Sequence, residues 1–148
     1  MTPLGDAGYA LEPAPADALL NVVFVHGFKG NALDTWTWRP SAPIWSFWRA
    51  RPEGVLLPVL LSRHSAVPCR YYTVAHSAGI RSPTDIERAA GVLSTFIKTA
   101  VLPRARLPVV LVAHSFGGLA CREAILGQLE HEEDPCVIGL LMLGTPNA

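Results

Sequence analysis

Two pentapeptides of this chain hold a serine in the setting that nucleophilic catalysis requires. The first, Ala113-His114-Ser115-Phe116-Gly117, directly follows the apolar run 107–113 (LPVVLVA) and directly precedes a helical stretch. A sharp turn between a parallel strand and a helix lifts a serine hydroxyl above the edge of a sheet. That turn crowds the residues two before and two after the serine, so both must be small, and Ala113 and Gly117 satisfy this. The amide after the serine, on Phe116, points to where an oxyanion would form, and the helix directs its positive end at the same spot. The second pentapeptide, Ala75-His76-Ser77-Ala78-Gly79, has the same residue types, but Gly79 to Pro83 come between it and the next helix signal. Context therefore selects Ser115 and leaves Ser77 as a loop residue.

A second oxyanion donor is expected upstream. The run 22–25 (VVFV) ends in His26-Gly27-Phe28-Lys29-Gly30, a strand that passes into a glycine-containing loop. Such a loop supplies a backbone N–H, here that of Phe28, while Gly27 would let the backbone approach the substrate closely. His26 is expected to brace this loop by a hydrogen bond, and His114 to point away from the serine oxygen. An ordinary strand-ending turn would have the same composition.

A serine hydroxyl also needs a base to take its proton and an acid to orient the base. Few groups downstream of the serine could take these roles. After Ser115 the candidates are Glu123, Glu130, His131, Glu132, Glu133 and Asp134. A helix of about 14 residues starting at Phe116 would carry the last four ~20 Å away, at 1.5 Å per residue. They read as a solvated helix-to-strand loop. His64 and His76 lie in segments with no assigned position, so none of the five histidines is assigned as base.

The elements that must position these groups are visible as short apolar runs. Residues 20–25 (LNVVFV), 107–113 and 136–143 (CVIGLLML) are too short for typical helices and do not alternate with polar residues, as expected for parallel strands covered on both faces. Residues 70–74 (RYYTV) form a fourth β-prone run, and 9–12 (YALE) a short edge strand. A helix starts near 82–87 (SPTDIE), either with Thr84 and Glu87 as a capping box or with Ser82 as cap and Pro83 first in the helix. It buries Ile86, Ala90, Leu93, Ile97 and Val101 and ends before Pro103. A second helix runs from about Phe116 to Glu130, with Leu119, Leu126 and Leu129 among its apolar positions. Strand, helix, strand, helix, strand is an α/β pattern with right-handed crossovers.

Composition narrows the functional classes. The 148 residues are half hydrophobic and 16% charged, with Lys+Arg 12 balanced by Asp+Glu 12. A chain of this size buries one real core, and low charge with high apolar content excludes disorder. The absence of a basic stripe argues against a nucleic-acid partner. Three cysteines without a CxxC spacing point to a reducing compartment and to neither a disulfide framework nor a zinc site; no cofactor is called for. Gly27 and Gly30 do not make the GxGxxG of a dinucleotide fold. No apolar run of about 18 residues occurs, so any membrane contact is expected to be peripheral. Residues 1–19 read as an N-terminal segment with the edge strand and a Pro/Ala linker, and 20–148 as the main body.

VVFVHGFKGNALDTWTW, LPVVLVAHSFGGLACREAI and VIGLLMLGTPNA, in this order, resemble the α/β-hydrolase superfamily. They are most similar to its serine-esterase/lipase branch, the serine-active-site-containing and GPI-inositol-deacylase-like proteins. The resemblance implies an α/β-hydrolase-type, mostly parallel sheet with flanking helices, cut off after the strand that follows the nucleophile helix. It implies Ser115 as nucleophile, the Phe28 and Phe116 amides as oxyanion donors, and 35–38 (TWTW) beside the site. It also implies a small-molecule or lipid ester as substrate, an acid and a base beyond residue 148, and endoplasmic reticulum or mitochondrial membranes as settings. Two departures stand out: Ala113 in place of glycine, and Asn147 where relatives often have histidine.

Trp36, Trp38, Trp45 and Trp48, with Phe47, either cover the sheet as ordinary core or line an acyl pocket or membrane interface. A final apolar strand left as a sheet edge invites self-association. The competing functional reading is a non-catalytic hydrolase-like binding module, or an inactive fragment.

Overall fold

The computed structural model describes residues 1–39, 54–76, 82–130 and 136–146. Six strands form one sheet: β1 (Thr2–Pro3), β2 (Gly8–Ala10), β3 (Leu20–Val25), β6 (Cys69–Val74), β7 (Val109–His114) and β8 (Val137–Leu143). Their order across the sheet is β1-β2-β6-β3-β7-β8, with β6, β3, β7 and β8 parallel and β1 and β2 antiparallel to their neighbours. Two short strands, β4 (Thr37–Trp38) and β5 (Val55–Leu56), pair separately. Helix α1 (Leu57–His64) follows β5, α2 (Pro83–Phe96) follows β6, and α3 (Gly117–Glu130) follows β7. This is the mostly parallel α/β sheet with flanking helices that the runs of Val, Leu and Ile anticipate.

Both faces of the central strands are covered, which is why those strands do not alternate. Val23, Val25, Tyr72, Val74, Leu111 and Ala113 face α2 and α3, where they meet Leu93, Ile97, Cys121 and Ala124. Val22, Phe24, Tyr71 and Val112 face the other way, toward Trp36 and toward Leu57 and Leu61 of α1. Each layer removes apolar area worth about 25 cal/mol per Å².

Several local expectations are corrected. The N-terminal strand is Gly8–Ala10, ends before Glu12, and is not the edge: it pairs with both β6 and β1, and β1 takes the outer place. Pro3 suits that place, because it has no N–H to offer a further strand. The strand preceding Ser115 starts at Val109, just after a proline that cannot donate to a ladder, and runs on to His114, which pairs with Leu143. Helix α2 is capped by Ser82, whose Oγ accepts from the Asp85 amide while Asp85 accepts from the Ser82 amide, so the box uses Asp85 and not Thr84 with Glu87. Its buried stripe holds Ala90, Leu93, Ile97 and Val101, with Ile86 half-buried, and Ile97–Val101 closes the helix as a π-turn.

Helix α3 begins at Gly117 and buries Gly117, Gly118, Ala120, Cys121, Ala124 and Gln128, leaving Leu126 and Leu129 exposed. Small residues on the inner face let the helix backbone sit close to the sheet, and the larger leucines point outward. Of the tryptophans, Trp36 is core, 5.0 Å from Phe24 ring to ring, and Trp38 is exposed. Trp45, Trp48 and Phe47 lie outside the described residues, as do Ser77, the 131–134 cluster and Asn147. No described helix is long and apolar enough to cross a membrane.

Candidate active site

Ser115 and Phe116 form the two-residue turn between β7 and α3, at the C-terminal edge of the parallel strands. Its φ is 53°, in the left-handed region that a non-glycine residue enters at a cost of about 1–3 kcal/mol. Two backbone bonds hold it there: its N–H donates to the Leu143 carbonyl at 2.9 Å, and its carbonyl accepts from Gly118 at 3.0 Å. Ala113 is fully buried, and a β-carbon on Gly117 would lie 2.5 Å from the His26 carbonyl oxygen and 2.7 Å from that of Val25. The small residues on either side of the serine are therefore required by the neighbouring strand β3. By contrast, β6 ends at Val74, just before the second serine motif, and α2 has its cap only at Ser82.

The loop after β3 meets this corner directly. A β-carbon on Gly27 would lie 2.7 Å from both the Ser115 Cβ and the His114 carbonyl oxygen, and 3.3 Å from the Phe116 nitrogen. The close approach that Gly27 permits includes one to the serine corner itself. Gly27 to Gly30 form a turn in which the Gly30 N–H donates to the Gly27 carbonyl at 3.1 Å and Lys29 takes a φ of 55°. Because a trans peptide directs its carbonyl and N–H to opposite sides, the Phe28 amide faces away from that turn. Among the described residues neither the Phe28 nor the Phe116 amide donates to a protein acceptor. The two side chains pack edge to face, with ring centroids 6.4 Å apart, and the Lys29 ammonium lies 5.4 Å from the Phe28 ring centre.

The histidines fall into separate roles. His26 is buried, and its Nδ1 contacts the Gly27 carbonyl at 3.1 Å, as a brace for the loop should. Burial, reinforced by the neighbouring His76, pulls its pKa down to about 4 against the raising effect of hydrogen bonds to the Gly27 and His76 backbones. His114 is exposed and packs edge-on to Trp36 at 6.4 Å. His64 is exposed at the end of α1. Among the described residues none of these rings hydrogen-bonds Ser115. Sequence reasoning left His76 unplaced, yet its ring lies parallel to that of His26, 3.9 Å away, and its Nε2 is 2.9 Å from the His26 carbonyl oxygen. It also passed over Thr145, against which Gly118 packs so closely that any side chain there would collide.

Residues 22–147 match the model of the alpha/beta hydrolase family. The chain belongs to this family. The chain also superposes on the mature form of Bacillus licheniformis lipase BlEst2, with a TM-score of 0.60 and 17% identity over 94% of this chain and 46% of that one. YbtT, the type II thioesterase from the yersiniabactin biosynthetic pathway, matches with a TM-score of 0.53 and 17% identity, over 94% of this chain and 47% of that one. These likenesses fix the fold, and the chain spans about half the length of the structures it resembles. No curated protein sequence matches it at a significant level.

Proposed function

We propose that the chain carries the nucleophile half of a serine carboxylester hydrolase acting on lipid or other hydrophobic esters. Ser115 attacks the acyl carbonyl, the Phe28 and Phe116 amides receive the oxyanion, and water then releases the acyl-enzyme. A water-excluded site rewards such fixed donors, because they need no reorganisation as charge develops. The observation that carries this reading is the serine at φ 53° with Gly27 pressed against it, which brings the two amide-bearing segments to one hydroxyl. The exposed Phe28 ring, packed on the half-buried ring of Phe116 next to the serine in sequence, supports a hydrophobic acyl group. In this fold the acid and histidine follow the nucleophile in chain order. The narrower assignment to the GPI-inositol-deacylase-like branch rests on the three sequence segments alone.

Labelling of the protein with a fluorophosphonate probe tests the reading, with Ser115→Ala and Ser77→Ala as controls. Loss of label in Ser115→Ala alone is the expected result. Loss in Ser77→Ala alone overturns the choice of serine, and no labelling of the full-length protein favours a non-catalytic hydrolase-like module.

A further inference from the structure

The Gly27–Phe28 peptide is the part of the site whose orientation matters most, since its N–H is the donor proposed for the acyl oxygen. Its carbonyl is pinned on the opposite side by the Gly30 amide and by the His26 ring, each at 3.1 Å. The preceding peptide is pinned as well. The His26 carbonyl oxygen receives the His76 Nε2 at 2.9 Å and lies so close to Gly117 that a β-carbon there would be 2.5 Å away. The two imidazoles stack at 3.9 Å with an interplanar angle of 4°, one from the end of β3 and one from the end of its neighbour β6.

Resting on the ester-hydrolase reading, we propose that His76 is a positioning residue for the oxyanion hole, acting through His26. It does so twice. Its Nε2–H donates to the His26 carbonyl, which fixes the rotation of the peptide that enters Gly27. Its ring face covers the His26 ring, which keeps the His26 Nδ1 aimed at the Gly27 carbonyl. A carbonyl oxygen only accepts, so the contact at 2.9 Å calls for the proton of His76 on Nε2, and that at 3.1 Å is a hydrogen bond only in the His26 tautomer protonated at Nδ1. A buried, neutral His26 has one ring proton, with backbone acceptors at Gly27 and at His76, and the positioning role requires that proton on the Gly27 side. With either contact released, the Gly27–Phe28 plane turns and its N–H leaves the position where charge develops. Substrate contacts made before that charge develops are untouched, so the effect belongs to kcat.

Two substitutions separate the donor from the ring. His76→Gln keeps an N–H near Nε2 without the imidazole, and His76→Phe keeps a flat ring without the donor. Measured on the full-length protein with a p-nitrophenyl acyl ester, His76→Phe is expected to lower kcat by about 100-fold with KM nearly unchanged. His76→Gln is expected to recover most of that loss. Equal loss in both variants, a change confined to KM, or full activity of His76→Phe overturns the inference. A second reading does not depend on turnover. In long-range 15N–1H spectra the wild-type protein should show His76 protonated at Nε2 and His26 at Nδ1, and the Phe28 amide signal should move in His76→Phe but stay near its wild-type position in His76→Gln. An unmoved Phe28 amide in His76→Phe sinks the positioning role even if activity changes. Absence of Ser115-dependent turnover in the wild type sinks the hydrolase reading instead, and the amide signal then decides the clamp by itself.

Discussion

Gly27 and Ser115 are packed so that a β-carbon on the glycine would sit 2.7 Å from the serine Cβ, closer than non-bonded carbons approach. The contact joins the ends of β3 and β7, neighbouring parallel strands in register from Asn21 opposite Val109 to Val25 opposite Ala113. Neither partner can move away cheaply, because one is backbone and the other is attached to a backbone held at positive φ. Gly27→Ala is therefore expected to destabilise the protein by about 2 kcal/mol, in the range of core overpacking. Fluorophosphonate labelling of Ser115 should also slow by about 10-fold or more as the loop is pushed back. Urea unfolding together with labelling kinetics checks both, and an alanine variant with wild-type midpoint and labelling rate would contradict the packing.

The serine conformation has its own signature. If Ser115 is held at φ 53° by its surroundings, a residue without a β-carbon relaxes there and alanine does not. Ser115→Gly should be more stable than Ser115→Ala by about 1 kcal/mol, the left-handed penalty of an L-residue. Chemical denaturation of the two variants gives the difference directly. Equal stability, or a less stable glycine variant, argues that the corner is not strained.

Acid should weaken the site through His26. Its pKa is lowered to about 4 in the folded protein, against about 6.5 in an unfolded chain. Between those values the unfolded state binds the proton and the folded state does not, so folding stability falls as pH drops from about 6.5 toward 4 and levels off below. The two-and-a-half-unit gap corresponds to about 3 kcal/mol at its fullest. His26→Asn keeps an N–H near the Nδ1 position but does not titrate, so its stability loss between pH 7 and pH 4.5 should be smaller than that of the wild type. Identical pH profiles for the two proteins would remove His26 as the cause.

The seven-residue strand β8 is expected to hold two copies of this 148-residue chain together. It borders the sheet with Ile138, Leu141, Met142 and Leu143 exposed and no charged residue along its length. An apolar, uncharged edge is a template for another strand. Leu141→Lys and Ile138→Lys should each shift the chain toward monomer by sedimentation or light scattering. A monodisperse wild-type monomer at tens of micromolar would dispose of the idea.

Much of this architecture is legible from local sequence. The strand 20–25 appears with its anticipated bounds, and Ser82 capping with Pro83 follows one of the two readings of that segment. The strand–Ser–helix corner is also where the residue types put it, because a turn of that kind needs only neighbours in sequence. The segment 31–69 was opaque for the opposite reason. Its short pieces β4, β5 and α1 are two to eight residues long; Trp36, Leu56, Leu57 and Leu61 pack in one cluster with Phe24 and Tyr71 of the sheet, and β4 pairs with β5. Leu126 and Leu129 misled as apolar positions of α3, since close approach to the sheet selects glycine, alanine and cysteine for the inner face.

The amino-acid order alone therefore determined the four longest strands, the covering of both faces of the central ones, and the small-residue corner that holds Ser115. Only the tertiary structure decided that Gly27 closes on that serine, that Gly118 meets Thr145, and that the His76 ring reaches the His26 carbonyl from fifty positions away. The first group follows from spacing along the backbone. The second depends on strand order, which places β6 and β7 on either side of β3 and so brings three strand ends to one point.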